Sequence, residues 1–428
     1  MTHRSGNKPV APYGMTLASR AERCWWWLVL ALAAALASGT AAAQLQIMPQ
    51  VSAQAAYDSN VFALSSPEQA LAQNGDSRRS DTVYRYTAGV GADYQWDIQR
   101  AFADIEGRRM QYEHFDRINH DEFLLSGGLD WHLGQAIDGV LDYRQERTMA
   151  AFADVQSGQL TMQRERKAGA TFNAIVVPEW RVESGVHNHH LELPLPATPS
   201  YALNENSVDA AIKYLGVQKL SAGLAVEYLW GSYDGGVSRD EFNQETAELT
   251  AKYVVSGLSS IGARLGYTRR TGQAGNTERV SGFTGSLAYS RRLSGKTSLD
   301  GEVFRRVNSY VAGANAVVDT GARIGAQWQP TYKITADLSY DWTDSTFQDT
   351  GGANSGRRDR YQSVRVSLGY QPLQWLSIKP FVGYQDRHSS IESDGYNEFT
   401  AGLLVVLRSG NLVGAGNSPA QLPGGVSR

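Results

Sequence analysis

The sequence predicts an all-β fold: a transmembrane, antiparallel, up-and-down β-barrel of about eighteen strands, preceded by a cleaved export signal. Three observations lead there. In residues 84–96, Tyr84, Tyr86, Ala88, Val90, Ala92, Tyr94 and Trp96 share one parity, while Arg85, Thr87, Gly89, Gly91, Asp93 and Gln95 take the other. That period of two marks a strand with one apolar and one polar face. The pattern then recurs to residue 407, with turn signals between repeats and aromatic residues gathered at strand ends. Finally, no stretch after residue 45 approaches the ~20 apolar residues of a membrane helix. Twelve strand steps of about 3.3 Å, tilted by about 40°, climb roughly 30 Å, the span of a bilayer. Lipid offers no hydrogen bonds, so such strands must pair on both edges and close.

Composition narrows the function classes. The 428 residues include 43 Gly and 13 Pro, with a formal net charge of −3. Nothing in that balance points to nucleic acid as a partner. The mean hydropathy is −0.36, low because half of each strand faces water. Residues 1–43 read as a signal peptide. Arg20 and Arg23 precede an apolar run over 24–36, and Ala41 and Ala43 fit a small-x-small cleavage site before Gln44. Met15 is the more ordinary initiation site. The one cysteine, Cys24, falls in this segment and is badly placed for a lipid anchor, so the mature chain has no thiol chemistry. Residues 44–408 are assigned to the barrel and 409–428 to a flexible periplasmic tail.

In order, strand 1 covers 46–57, weakened by Pro49. A long connection, 58–81, follows; within it Ser66-Pro67-Glu68-Gln69 reads as a capping box for a short helix to about Gln73. After the turn at 97–99, strand 3 alternates Ala103, Ile105 and Gly107 against Asp104, Glu106 and Arg108. Strand 4 sets Phe123, Leu125, Leu129 and Trp131 against Ser126, Asp130 and His132. Strand 5 sets Ile137, Leu141 and Tyr143 against Asp138, Asp142 and Arg144. A loop at 148–163 precedes Ala168–Val176 on one parity and Lys167–Asn173 on the other. Pro178-Glu179 turns the chain into the strand ending at His187–His190, before a loop with Pro194, Pro196 and Pro199. Five hairpins follow, over 208–230, 247–267, 283–303, 320–342 and 364–384, and a last strand over 399–407. Pro380 lies within one of these strands, where a bulge is expected. Thr400, Gly402, Val405 and Leu407 keep a spacing that resembles a barrel-assembly signal, so assembly machinery and outer-membrane lipids are expected partners.

Short turns and long loops alternate, which places both termini on the periplasmic side. Trp96, Trp131, Trp180, Tyr214, Tyr253, Tyr289, Trp328, Tyr332, Tyr370 and Trp375 sit beside the short turns as one aromatic girdle. Tyr84, Tyr228, Trp230, Tyr267, Tyr340, Trp342 and Tyr384 supply the other.

The opposite parity names the lumen. Its candidates are Asp93, Asp104, Glu106, Arg108, Asp130, Arg144, Lys167, Arg181, Glu183, Glu248, Arg264, Arg323 and Arg365. The two signs are interspersed, so strong ion selectivity is not expected, and hydroxyls, amides and ion pairs suit a hydrated solute such as a sugar polymer. A generic wetted wall with cross-strand ion pairs accounts for the same residues. Asp104 and Glu106 share a face at roughly 7 Å, near a glycosidase carboxylate spacing, but same-face acids recur in barrels generally. His187 and His189 share a face without an identifiable third metal ligand. No cofactor, catalytic triad or phosphate loop is readable, and the chain is not expected to be an enzyme.

Several motifs resemble the EpsL-type outer-membrane proteins encoded with exopolysaccharide biosynthesis genes. These are Tyr57-Asp58-Ser59-Asn60-Val61-Phe62, Ser80-Asp81-Thr82-Val83, and His120-Asp121 through Gly128-Leu129-Asp130-Trp131-His132-Leu133-Gly134. Phe152-Ala153-Asp154 and Pro178-Glu179-Trp180 fit as well. The resemblance is clearest over 45–190. It implies a porin-like barrel engaged in exopolysaccharide production or export, with the polymer and other export components as partners. It implies no catalytic residues. A general diffusion porin and, further off, an outer-membrane enzyme are the rival readings.

Overall fold

In a computed structural model the chain forms one antiparallel 18-stranded sheet that closes on itself. The structure describes residues 45–155, 158–194, 201–235, 239–272, 279–310, 315–348 and 356–409. The expected signal peptide and all but the first residue of the expected tail lie outside them. The first six strands are β1 (Leu45–Asp58), β2 (Asp81–Trp96), β3 (Gln99–Tyr112), β4 (His120–Leu133), β5 (Ile137–Met149) and β6 (Met162–Val177). Next come β7 (Trp180–Leu193), β8 (Tyr201–Val217), β9 (Leu220–Asp234), β10 (Arg239–Ser256), β11 (Ser259–Gly272) and β12 (Arg279–Ser294). The ring ends with β13 (Thr297–Tyr310), β14 (Asn315–Thr331), β15 (Ile334–Gln348), β16 (Arg358–Leu373), β17 (Leu376–Ser389) and β18 (Tyr396–Arg408). Each strand pairs with its chain neighbours, and β1 pairs with β18 from Gln50↔Arg408 to Asp58↔Thr400. Closure leaves no lipid-exposed edge, as hydrocarbon demands.

Several strands run longer than their alternation indicates. β8 begins at Tyr201 and β10 at Arg239, well before the expected 208 and 247. Above the lipid both faces of a strand are polar, as at Asn204-Glu205-Asn206, so the period of two disappears while the ladder continues. The short turns use left-handed residues at Asp97, Gly134 and Lys219, whose positive φ suits tight hairpins. Pro380 does not sit in a bulge. Register is unchanged across it, and the ladder to β16 instead omits the two pairs between Ser367↔Phe381 and Tyr370↔Ile378, where the missing N–H would lie. The bulge lies nearer the turn, between Tyr370 and Leu373.

Outward positions form an apolar belt, with Leu224, Leu249 and Leu265 each more than half exposed at its middle. Aromatic pairs flank it. Tyr94 with Trp96 and Trp180 with Tyr214 stand near the short turns, with ring centroids 5.3 and 5.0 Å apart, and Tyr228 with Trp230 near the long loops, at 5.9 Å. An exposed belt of this kind is stable only against lipid.

The long-loop end is covered. Residues 59–80 carry α1 (Pro67–Asn74), where Ser66 caps the Gln69 N–H at 3.2 Å. Gln69 does not complete a reciprocal box; its side-chain oxygen accepts from the Ser65 N–H at 2.7 Å. The Glu68 carboxylate is held below its usual range by its own backbone N–H and the Ser66 hydroxyl. Loop 150–161 carries α2 (Phe152–Val155). Phe62 packs on Phe115 and Phe152 with centroids 4.8 and 4.7 Å apart, over Val83, Met110, Tyr112, Ile118 and Tyr396. Together the loops make a lid over the β17–β18–β1–β5 sector.

Candidate functional site

Inner-wall side chains come from alternate residues of every strand, and most of their charges are paired, either across the ladder or with the next inward residue of the same strand. Arg100 bridges Asp93 at 2.5 Å and Asp130 at 3.2 Å. Arg108 pairs with Glu106 and reaches Glu122 at 3.5 Å, while Gln50 donates to Glu106 at 3.3 Å. Arg144 meets Glu146 at 2.9 Å, and Lys167 meets Glu165 at 2.6 Å. Arg181 contacts Asp138 at 2.9 Å and Glu183 at 3.2 Å, and Lys213 also pairs with Glu183. Arg264 holds Glu248 at 2.7 Å and Arg323 holds Asp341 at 3.2 Å. Asp104 lies on the same wall, one ladder step from Glu106, without a cation within ion-pair distance among the described residues. Each pair is partly solvated and contributes at most ~1 kcal/mol. Collectively they cancel the field that an unpaired ring would project into the lumen.

A repeated arrangement escaped sequence reasoning. Phe102, Phe242, Phe304 and Phe381 face inward, each directly opposite a glycine: Gly128, Gly231, Gly321 and Gly402. The rings lie flat over these glycines, where an added Cβ would come within 2.5–2.7 Å of ring carbons. Arg100, Arg270, Arg323 and Arg365 then stack on the same rings, with Arg270 only 3.6 Å from the Phe242 centroid. Glycine therefore lets bulky aromatics flatten against the wall, and cation–π contacts keep the guanidinia down with them. The readable signal is an inward Phe whose cross-strand partner is Gly.

Below the mouth, β7–β12 line a cavity of ≈ 570 Å³ whose polar rim includes His187, Asp209, Lys213, Glu227, Glu248 and Arg264. Under the lid, by contrast, only ≈ 40 Å³ remains open. The lid is anchored across the lumen: Arg387 on β17 donates to the Ala153 carbonyl at 2.7 Å and to Asp359 at 2.7 Å. Arg357 adds contacts of 2.9 Å to both Asp359 and Asp394, making a buried four-charge cluster beneath α2. Asn60, 1% exposed, ties the lid to itself and to β18. Its Nδ2 donates to the Leu64 and Asn397 carbonyls at 2.8 and 2.9 Å, and its Oδ1 accepts from the Leu64 N–H at 3.0 Å.

A second element closes in from the far side. Pairing between β12 and β13 starts at the turn and stops at Gly285↔Arg305, leaving the upper part of the β13–β14 hairpin unladdered to β12. That hairpin leans inward. Val307, Ala316 and Val318 pack on Val280, and Ser309 donates to Glu205 of β8, five strands away. Arg270 fastens the contact, donating to Ser309 and to the Tyr233 hydroxyl at 2.9 Å each.

The histidines do not gather into a metal site. His187 pairs with Asp209 at 3.1 Å, and His189 lies between Glu165 and Glu205 at 2.8 and 2.9 Å. His190, of opposite parity, points outward beside Glu192. Asp81, Glu113 and His114 do approach one another. The Asp81 carboxylate, however, is spent on the backbone N–H groups of Thr82, His114 and Phe115, which shape the β3–β4 loop.

No protein-family model and no curated protein sequence matches the chain. Among solved structures it is similar to the FrpB iron transporter from Neisseria meningitidis, at 8% identity and TM-score 0.46, covering 84% of this chain and 81% of that one. It is similar to OpdK of Pseudomonas aeruginosa, crystallised with vanillate, at 11% identity and TM-score 0.46, covering 85% and 99%. The siderophore receptor PirA from Pseudomonas aeruginosa gives 9% identity and TM-score 0.44, over 85% and 80%. The closed sheet, the lipid-facing belt and its two aromatic margins make this protein an outer-membrane-type β-barrel with a porin-like, wetted interior.

Proposed function

We propose that this barrel takes part in exopolysaccharide export across the outer membrane, with its long loops outside and both termini in the periplasm. One observation carries the reading. Asn60, Phe62, Asp81, His120, Phe152 and Ala153 all belong to the motifs that resemble the exopolysaccharide-linked family, and all are buried in or beneath the lid. Much of what carries the resemblance thus gathers in one structural device, a cover on the mouth, while Gly128–Gly134 and Pro178-Glu179-Trp180 lie at the short-turn end. A hydrated polymer needs a wall rich in exchangeable hydrogen bonds and free of strong fixed charge, and the paired inner wall supplies it. The lid keeps such a conduit shut when no polymer is threaded.

A diffusion porin for small hydrated solutes is the second reading, favoured by the cavity of ≈ 570 Å³ on the β7–β12 wall. Cell-surface, secreted and periplasmic polysaccharide measured in a strain lacking the gene separates the two. Lost surface polymer with periplasmic accumulation supports export. Unchanged polymer in all three fractions refutes it and leaves the porin.

A further inference from the structure

The outer wall of β5–β8 changes character in steps toward the long loops. Along the ladder, Leu141, Ala170, Val186 and Val208 form an apolar row. The next outward row is Tyr143, Ala168, Asn188 and Asn206; then come Gln145, Arg166, His190 and Asn204; then Arg147, Arg164 and Glu192. Each row lies two residues further along, about 6.6 Å of strand or roughly 5 Å of height at barrel tilt. Arg166 therefore stands about 10 Å above the last fully apolar row and Arg164 about 15 Å, the depth range of lipid headgroups.

The charge there is unbalanced. Arg147 sits directly opposite Arg164 in the ladder, an arrangement that repels unless something negative lies between. One carboxylate serves two of the three guanidinia: Glu192 is 2.8 Å from Arg166 and 3.6 Å from Arg164, and Arg147 has no acidic partner among the described residues. The Arg166 Nε is also without a hydrogen-bond partner. Several other outward arginines at this end face an acid, and Arg305 donates to the Thr320 hydroxyl at 2.8 Å. Arg109 pairs with Asp121, Arg358 and Arg360 share Asp344, and Arg269 lies opposite Glu245.

We propose that Arg147, Arg164 and Arg166 form a docking site for the phosphate of a phosphorylated glycolipid in the leaflet that meets the long-loop end. Opposed Cβ atoms about 5 Å apart let one phosphate bridge both guanidinia, and the planar fork of arginine binds phosphate oxygens in pairs. The acyl chains then lie on the Leu141–Val208 row below, so headgroup and tails meet complementary surface at the correct heights. The site is independent of what passes through the lumen.

The test uses the full purified protein in detergent, titrated with bis-phosphorylated lipid A, with chemically dephosphorylated lipid A, and with inorganic phosphate. Binding is read by native mass spectrometry and by melting temperature. The phosphorylated lipid is expected to bind and to raise the melting temperature, and the dephosphorylated lipid to bind about tenfold more weakly or worse. R147Q/R164Q/R166Q should lose that discrimination, while R358Q/R360Q keeps it. Equal binding of the two lipids, or full discrimination in the folded triple variant, overturns the proposal. Inorganic phosphate binding as tightly as the lipid also overturns it, since the site would then take any free anion. The wild-type comparison needs no variant, so a misfolded triple mutant does not blunt the test.

Discussion

Asn60→Ala should loosen the lid without loosening the barrel. The side chain makes three hydrogen bonds at 2.8–3.0 Å in a fully buried setting, two to carbonyls and one from a backbone N–H. Truncation leaves those backbone groups without partners. An unsatisfied buried group costs about 1–3 kcal/mol, and local relaxation or water recovers part of the sum. We therefore expect the free energy for local opening of residues 59–75 to fall by about 2–3 kcal/mol, a roughly 30–150-fold rise in opening equilibrium. Amide hydrogen exchange resolved by peptide is the assay, because it separates sub-global opening from global unfolding. Peptides covering 59–75 should exchange faster by that factor, while those from β9 to β11 stay within about twofold. If the lid peptides change less than about threefold, or if the strands accelerate equally, the lid is not a separate cooperative unit and the reasoning fails.

Other expectations follow from the same geometry. Glu205→Ala removes the acceptor that holds Ser309 across the lumen, so the β13–β14 hairpin should swing outward and single-channel conductance in planar bilayers should rise; unchanged conductance would mean the hairpin does not limit the pore. Leu249→Arg places a guanidinium on the lipid belt and should cost about 2–4 kcal/mol by urea unfolding in vesicles, whereas Thr250→Arg, one residue on and facing the lumen, should cost under about 1 kcal/mol. Equal costs would contradict the inside–outside assignment. Gly402→Val forces a branched side chain where a Cβ would already be 2.6 Å from the Ala55 carbonyl and 2.7 Å from the Phe381 ring, and should reduce folded yield strongly; full yield would show that the wall there can give.

What the sequence makes legible is what lipid enforces. The alternation in residues 84–96 is sharp because one face meets hydrocarbon and the other water, and the strand count follows from the same rule repeated. Strand ends above the belt are not legible, since residues such as Asn204, Glu205 and Asn206 face polar surroundings on both sides. In the sequence the lid shows only as a capping box and as motifs that do not reveal what they pack against. Its packing partners, Phe115, Phe152 and Tyr396, lie far apart in the chain, and nothing local announces that they meet. Arg357 and Arg387 look like ordinary loop and strand charges; the β16–β17 hairpin brings them onto one carboxylate, Asp359, a register that the sequence does not announce. The inward lean of the β13–β14 hairpin is equally silent, because Val307 and Val318 continue an unremarkable strand pattern while their partner, Val280, lies on another hairpin.

That lean shows where the membrane stops dictating the fold. Below the upper girdle the ladder runs continuously round the ring, apart from bulges beside the turns and the gap at Pro380. A strand parted there would strand N–H and C=O groups in lipid at several kcal/mol each. The β12–β13 ladder ends at Gly285 and Arg305, one outward step from Phe283, which packs edge-on against Tyr267 of the upper girdle. Above that height water and protein can satisfy the backbone, so the hairpin is free to leave the wall and bury valines instead. An element held by side chains rather than by a lipid-enforced ladder can move at a cost of a few hydrogen bonds, about 1 kcal/mol each. Among the described residues, the lid and this hairpin are the elements that can shift without breaking the lipid-enforced ladder beneath them.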